Sequence, residues 1–265
     1  MFIIPIATLV LIAPTHALIR FGCSQLVVDR LDPLVEPGNA PSAHLHQIIG
    51  GNSFVPDMRP GVLDPAKTST CTTCQPADDF SNYWTAPIYF KARNGTYKRV
   101  PQKGNSGFEG QNGGMTVYYM QNQLADFQQA SKVTAFKPSY PASGTFESQG
   151  PCPASHPVRM PQVMFEVIYE TKDFNDPALW PEDGGQPFAY SFGDQTGYAN
   201  HGDYLFGWKD DSLQKIMDEE CFVNCKSMKT QSIQQMNACS TTRKVVEDIG
   251  DANWLTSLPG QHHVE

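Results

Sequence analysis

The sequence predicts a mainly β single domain of sandwich or jelly-roll type, with one peripheral helix and support from disulfides. Three observations carry that expectation. Short apolar or aromatic runs alternate with Gly, Pro, Asn and Asp, and the 265 residues include 21 Gly and 21 Pro. This is strand-and-turn punctuation. One stretch alone shows sustained helical periodicity. Seven cysteines accompany an export-type leader, and thiols pair in the oxidising secretory pathway.

The leader is MFIIPIATLVLIAPTHA. Its apolar run is too short to span a bilayer, and the small residues Thr15 and Ala17 suit a cleavage site. Residues 1–17 are therefore read as a signal peptide and 18–265 as one secreted, extracellular domain, since β-rich domains reach this size. No later stretch is apolar enough for a membrane. The net charge of -8, without a Lys/Arg cluster, excludes a phosphate backbone as ligand and sets nucleic acid aside.

The strand candidates follow in order: QLVVDRLDPLV, YWTAPIYFKA, TYKRV, MTVYYM, VMFEVIYE, PFAYSF and YLFGW. The helix candidate is DDSLQKIMDEECFVNC, near residues 210–224. It places Leu213, Ile216, Met217 and Cys221 near one face behind two aspartates. Segments 55–66 and 137–161 are rich in Pro and Gly and read as long loops, and LPGQHHVE reads as a frayed C-terminal tail. Cys71 and Cys74 form a CxxC with no second CxxC to complete a four-cysteine zinc site, so a short-range disulfide is expected there. Asn94-Gly-Thr96 is a glycosylation sequon in a surface turn.

Five motifs occur in the order RLDPLVEPGNAPSAHLHQIIGGNSF, CTTCQPADDFSNYWTAPIYF, GGMTVYYM, CPASHPVRMPQV and GYANHGDYLFGW. Together they resemble the fungal secreted family catalogued as domain of unknown function nineteen ninety-six, across nearly the whole exported chain. The family name carries no activity. Some members are joined to small cysteine-rich modules associated with wall carbohydrate, and the resemblance therefore implies an extracellular glycan setting. The chain also departs from the family pattern. Between MTVYYM and CPASHP it lacks the FP-x-C-W-D-G and Asp-His-x-Ser-His motifs, and a missing segment would leave Cys152 without its partner.

His44 and His46 share a face if AHLHQII is extended, because strand side chains alternate. His201 and Asp203 have the same spacing. Two such pairs on neighbouring strands would supply an N/O set for one divalent transition metal such as zinc, copper, iron or manganese. His156 is a further candidate ligand, and Asp32 completes the catalytic candidates Asp32, His44, His46, His201 and Asp203. A metal-bound water at an open position would serve as nucleophile near neutral pH. The bland alternative is a polar strand face. Asp32 before Pro33 also suits a turn, and His156 before Pro157 suits a restricted extended dipeptide.

Other chemistries fare worse. Glu166 and Glu170 would share a strand face, but four residues separate their backbones by roughly 13 Å. Paired glycosidase carboxyls stand about 5 to 9.5 Å apart. No G-x-S-x-G elbow is present, and GNSGFEGQNGG lacks the Lys-Ser/Thr ending of a phosphate loop. The aromatics offer a sugar-stacking platform, with Tyr83, Trp84 and Trp208 as candidate substrate-binding residues against a core role. Three functions are thus expected to compete. The first is a protein acting on cell-wall or plant polysaccharide through a histidine-rich metal cleft, the second a non-catalytic glycan-binding protein, and the third a degenerate relative.

Overall fold

A strand forms where alternating side chains have two environments to face, and the computed structural model places most of the expected runs in that state. It describes residues 18–59, 61–120, 161–219 and 221–261. The strands are β1 (Leu18–Cys23), β2 (Gln25–Asp29), β3 (His46–Gly50), β4 (Asn82–Thr85), β5 (Ile88–Lys91) and β6 (Tyr97–Arg99). They continue with β7 (Gln102–Lys103), β8 (Met115–Met120), β9 (Gln162–Glu166), β10 (Ile168–Tyr169), β11 (Phe188–Tyr190) and β12 (Gly202–Leu205). The leader, Cys152, His156 and nearly all of the 137–161 loop lie outside the described residues.

All pairings between these strands are antiparallel. A four-stranded sheet has the order β12-β4-β3-β2, and a three-stranded sheet the order β1-β8-β9. These two face each other across one core. Ile19, Phe21, Val117 and Tyr119 from the three-stranded sheet meet Ile49 and Tyr83 from the four-stranded one. Each such side chain contributes roughly 1.5–3 kcal/mol by leaving water. The other face of the four-stranded sheet buries Val27, Ile48 and Trp84 against Leu31, Phe54 and Met58. A further three-stranded sheet, β11-β5-β6, and the β10-β7 pair complete the β framework.

β3 ends on Gly50, whose φ of 104° and close backbone neighbour exclude a side chain. A Cβ there would lie 1.7 Å from the Ser81 carbonyl oxygen. Glycine thereby lets β3 close on the β4 entry.

The expected helix is present but shorter. It becomes α2 (Ser212–Met217), preceded in the chain by the single turn α1 (Pro65–Thr68). Leu213, Ile216 and Met217 are buried as the periodicity requires. Cys221 falls beyond the helix because the chain folds back there. Glu219 accepts hydrogen bonds from the Lys226 and Ser227 amides, and Cys221 bridges Cys225. A third helix, α3 (Ile233–Ala238), starts at a Ser232/Gln235 capping box. Its periodicity is weak because Met236 is its one buried residue.

Two further expectations need correction. Cys71 and Cys74 are both disulfide-bonded, but not to each other: Cys23 pairs with Cys74 and Cys71 with Cys239. Residues 72 and 74 bridge Gly51 and Cys23 in antiparallel fashion, so the segment is extended. An odd spacing in extended chain sends two side chains to opposite faces. Cys74 accordingly joins the core between the sheets, and Cys71 packs against the core on the other face. The C-terminal tail is also docked in part. Leu258 packs with Val28, Leu45, Tyr89 and Ile249, and Gln261 donates to the Phe192 carbonyl.

Candidate metal centre

Sheet register brings the candidate ligands together. Thr85 on β4 stands opposite Gln47 on one side and Gly202 on the other. His46 and His201, one residue before each, therefore sit at the same end of the four-stranded sheet. His44 precedes His46 by two residues, and their ring centroids are 4.3 Å apart. Asp203 lies opposite Trp84, and Trp84 opposite Ile48, which puts the carboxylate on the face that carries His46.

The imidazole orientations are fixed from behind. His46 Nδ1 lies 3.0 Å from the Leu31 carbonyl oxygen, and His201 Nδ1 lies 3.0 Å from that of Ala199. A carbonyl can only accept, so each neutral ring donates from Nδ1 and keeps a lone pair on Nε2. His46 Nε2 is buried and has no hydrogen-bond partner among the described residues. His44 Nε2 and His201 Nε2 are 3.2 Å apart. One ligand atom from each of His44, His46 and His201 lies within 4.8 Å of the other two, and the same holds for Asp32, His46 and Asp203. His46 is common to both groups.

The electrostatics disfavour charge on His46 and His44. Burial, followed by the charge of His44, lowers the His46 pKa to about 3. Burial and then His201 lower that of His44, against the opposing pull of Asp32 and Glu36. Neutral imidazole is the form that binds a metal. Burial, and then the nearby charge of Asp32, push Asp203 up to about 6, with His201 acting in the opposite sense. Asp203 Oδ2 is buried without a hydrogen-bond partner among the described residues.

Asp32 serves the fold at the same time. Its Oδ1 accepts from the Leu34 and Val35 amides, which is the turn role anticipated for an aspartate before proline. Turn-making and a place beside His46 are therefore compatible.

The platform expected from Tyr83, Trp84 and Trp208 is not a surface. Tyr83 and Trp84 are fully buried and Trp208 is 2% exposed, so none offers a ring face to a ligand. Tyr83 donates to Asp79 Oδ2 at 2.7 Å, and Trp208 donates through Nε1 to the Tyr119 hydroxyl at 3.0 Å. Tyr83 and Trp208 thus find their polar partners inside the core, whereas Trp84 Nε1 is buried without one among the described residues. Glu166 and Glu170 answer different partners, Tyr118 and Lys103, which leaves no carboxylate pair.

Phe192 is the ring that the sequence argument overlooked. Its centroid lies 5.1 Å from that of His44 and 5.3 Å from that of His201. The signal was present in PFAYSF, where Phe188, Tyr190 and Phe192 follow the strand period. Asn94 sits exposed in the turn between β5 and β6, and its Oδ1 accepts from the Thr96 amide and hydroxyl.

The sequence model of a family described as Domain of unknown function (DUF1996) matches residues 32–140 and 137–208. All five residues of the cluster fall inside the matched range, while α2 and α3 lie beyond it. No curated protein and no solved structure matches the chain.

Proposed function

The chain belongs to that family of unknown function, and from this premise we propose that it is a secreted protein holding one divalent transition metal on His44, His46 and His201. In this proposal it acts on or at cell-wall or plant polysaccharide. The observation that carries the metal assignment is His46 itself, buried and neutral, with Nδ1 committed to a carbonyl and Nε2 lacking any partner among the described residues. Metal-binding histidines commonly donate their second nitrogen in this way.

The spacing of one nitrogen pair fits two ligands of one zinc ion. Two nitrogens each about 2.0–2.1 Å from zinc in tetrahedral geometry stand about 3.3–3.4 Å apart. His44 and His201 are at 3.2 Å. Three histidines with an open fourth position form the usual catalytic zinc arrangement, which supplies an activated water. The chain's own part is to disfavour charge on His44 and His46 and to keep the Asp203 carboxylate, with a pKa near 6, beside them as a proton acceptor.

A second reading rests on the same distance. His44 Nε2 and His201 Nε2 at 3.2 Å also satisfy an ordinary N–H···N hydrogen bond. The protein would then be a non-catalytic glycan-binding protein with structural histidines. Metal content measured by plasma mass spectrometry separates the two. The secreted protein is expected to carry near-stoichiometric metal, and His44→Ala/His46→Ala less than about a tenth of it, in line with losing two of three ligands. Absence of metal from both proteins would leave only the hydrogen-bonded pair.

Secretion draws support from three disulfides, and among the described residues no helix is long and apolar enough to cross a membrane. Exposure of the Asn94 turn supports glycan attachment there. Intact-mass analysis is expected to show a heterogeneous sugar mass that disappears in Thr96→Ala. A single unmodified mass for the wild type would remove Asn94 from consideration.

A further inference from the structure

The aromatic path does not end at the histidines. Tyr190 and Phe192 lie parallel, 6° apart in plane and 5.5 Å between centroids. Tyr190 is also part of the wall of an open groove of about 310 Å³, together with Ile88, Gln186, Gln195 and Thr196. Gln186 and Gln195 are shared with a neighbouring cavity of about 740 Å³ that reaches Lys91 and Arg93. Histidines, paired rings and groove thus follow one another along the β11 edge.

We infer that this groove binds a neutral glycan chain and leads it to the histidine cluster. The inference deepens the function proposed above and rests on it for the position of the chemistry. Its first support is the charge balance of the walls. The Asp194 carboxylate is occupied by its own loop, accepting from the Thr196 amide and hydroxyl and from the Gly197 and Ala199 amides. Arg93 pairs with Glu182 and donates to the Trp180 and Pro177 carbonyls. Asp183 accepts from the Gly185 amide, and Lys91 lies over the Tyr97 ring. A charged polymer would meet no uncommitted cluster of opposite sign.

The second support is what remains uncommitted. Among the described residues, neither the Tyr190 hydroxyl nor the Gln195 side-chain amide makes a hydrogen bond, although both border the groove. Uncharged donors and acceptors beside an aromatic ring suit a sugar, which offers hydroxyls around its edge and C–H bonds on its faces. The ring step from Tyr190 to Phe192 and from Phe192 to His44 gives the chain a direction.

Titration calorimetry on the full secreted protein tests this, with cellohexaose, chitohexaose and laminarihexaose as neutral probes and hexagalacturonate as the charged one. At least one neutral hexamer is expected to bind. Its affinity should fall about tenfold in Tyr190→Ala and in the exposed-loop variant Gln195→Ala, with a smaller loss in Tyr190→Phe, which keeps the ring and removes only the hydroxyl. Failure of every neutral probe to bind would overturn the inference. Undiminished binding in both alanine variants, or equal binding of hexagalacturonate, would do the same. Metal content measured on the same samples keeps the two ideas apart. Metal without glycan binding overturns the groove alone, and glycan binding without metal overturns the metal centre alone.

Discussion

Replacing Cys71 and Cys239 together by serine is expected to destabilise the protein by about 3–5 kcal/mol. The bridge closes a separation of 168 residues, and the chain-entropy relation assigns about 5 kcal/mol to a loop of that size, with measured values commonly lower. The loss should concentrate in the C-terminal segment that the bridge anchors. Downstream of Cys239, the Lys244 and Val245 amides donate to the buried Asp29 carboxylate, Arg30 pairs with Glu247, and Tyr89 donates to the Ile249 carbonyl. Urea melts give the total, and hydrogen exchange at Lys244 and Val245 gives the location. Unchanged melts would mean that packing of Ile249 and Leu258 holds the segment without the covalent tie. Replacing both cysteines, rather than one, avoids a free thiol that could exchange with the remaining disulfides.

Asp79→Asn is expected to flatten the pH dependence of stability. Asp79 is fully buried, accepts from the Ser81 amide at 3.0 Å and from the Tyr83 hydroxyl at 2.7 Å, and has its pKa raised to about 7 by burial. An ordinary aspartate loses its proton near 3.8. Between those values the folded protein binds more protons than the unfolded chain, so stability falls as pH rises. The contribution is complete below 3.8 and disappears as pH climbs through about 7. His46, with its pKa lowered to about 3, acts in the opposite sense at acid pH. The difference between wild type and Asp79→Asn cancels that contribution.

Between pH 5 and pH 8 the variant should gain on the order of 2 kcal/mol relative to wild type. An asparagine amide can donate to the Tyr83 oxygen as a protonated carboxyl does, and its carbonyl can still accept from Ser81. The hydrogen-bonded chain through Tyr83, Tyr119 and Tyr204 is thereby kept. A gap between the two proteins that stays constant over this range would show that Asp79 does not titrate there. Asp79→Ala provides the contrast, because it abandons both partners at every pH and leaves them unsatisfied in the core.

The sequence by itself determined the β class and most strand positions, whereas His44 lies in a bend just before the strand that begins at His46. The class and the strand positions follow from backbone sterics and a period of two, which act between neighbours in the chain. In MTVYYM, Met115, Val117 and Tyr119 are buried as that alternation requires. The periodicity of α2 likewise named its buried residues, although its end depended on Glu219 and the Cys221 turn.

Only the tertiary structure decided how the pieces meet. Alternation says that half of the aromatics point inward but not which core receives them, and Tyr83, Trp84 and Trp208 prove to be interior while Phe192 lies beside the histidines. The partners of Cys71 and Cys74 were hidden for the same reason, since an extended CxxC shows that its thiols diverge but not what stands opposite each. His44 and His201 are 157 positions apart, and their contact exists because β3 and β12 flank β4 in one register. Local preference fixes which face a side chain occupies. Sheet order and register, set by burial of both faces of the four-stranded sheet, fix its neighbour.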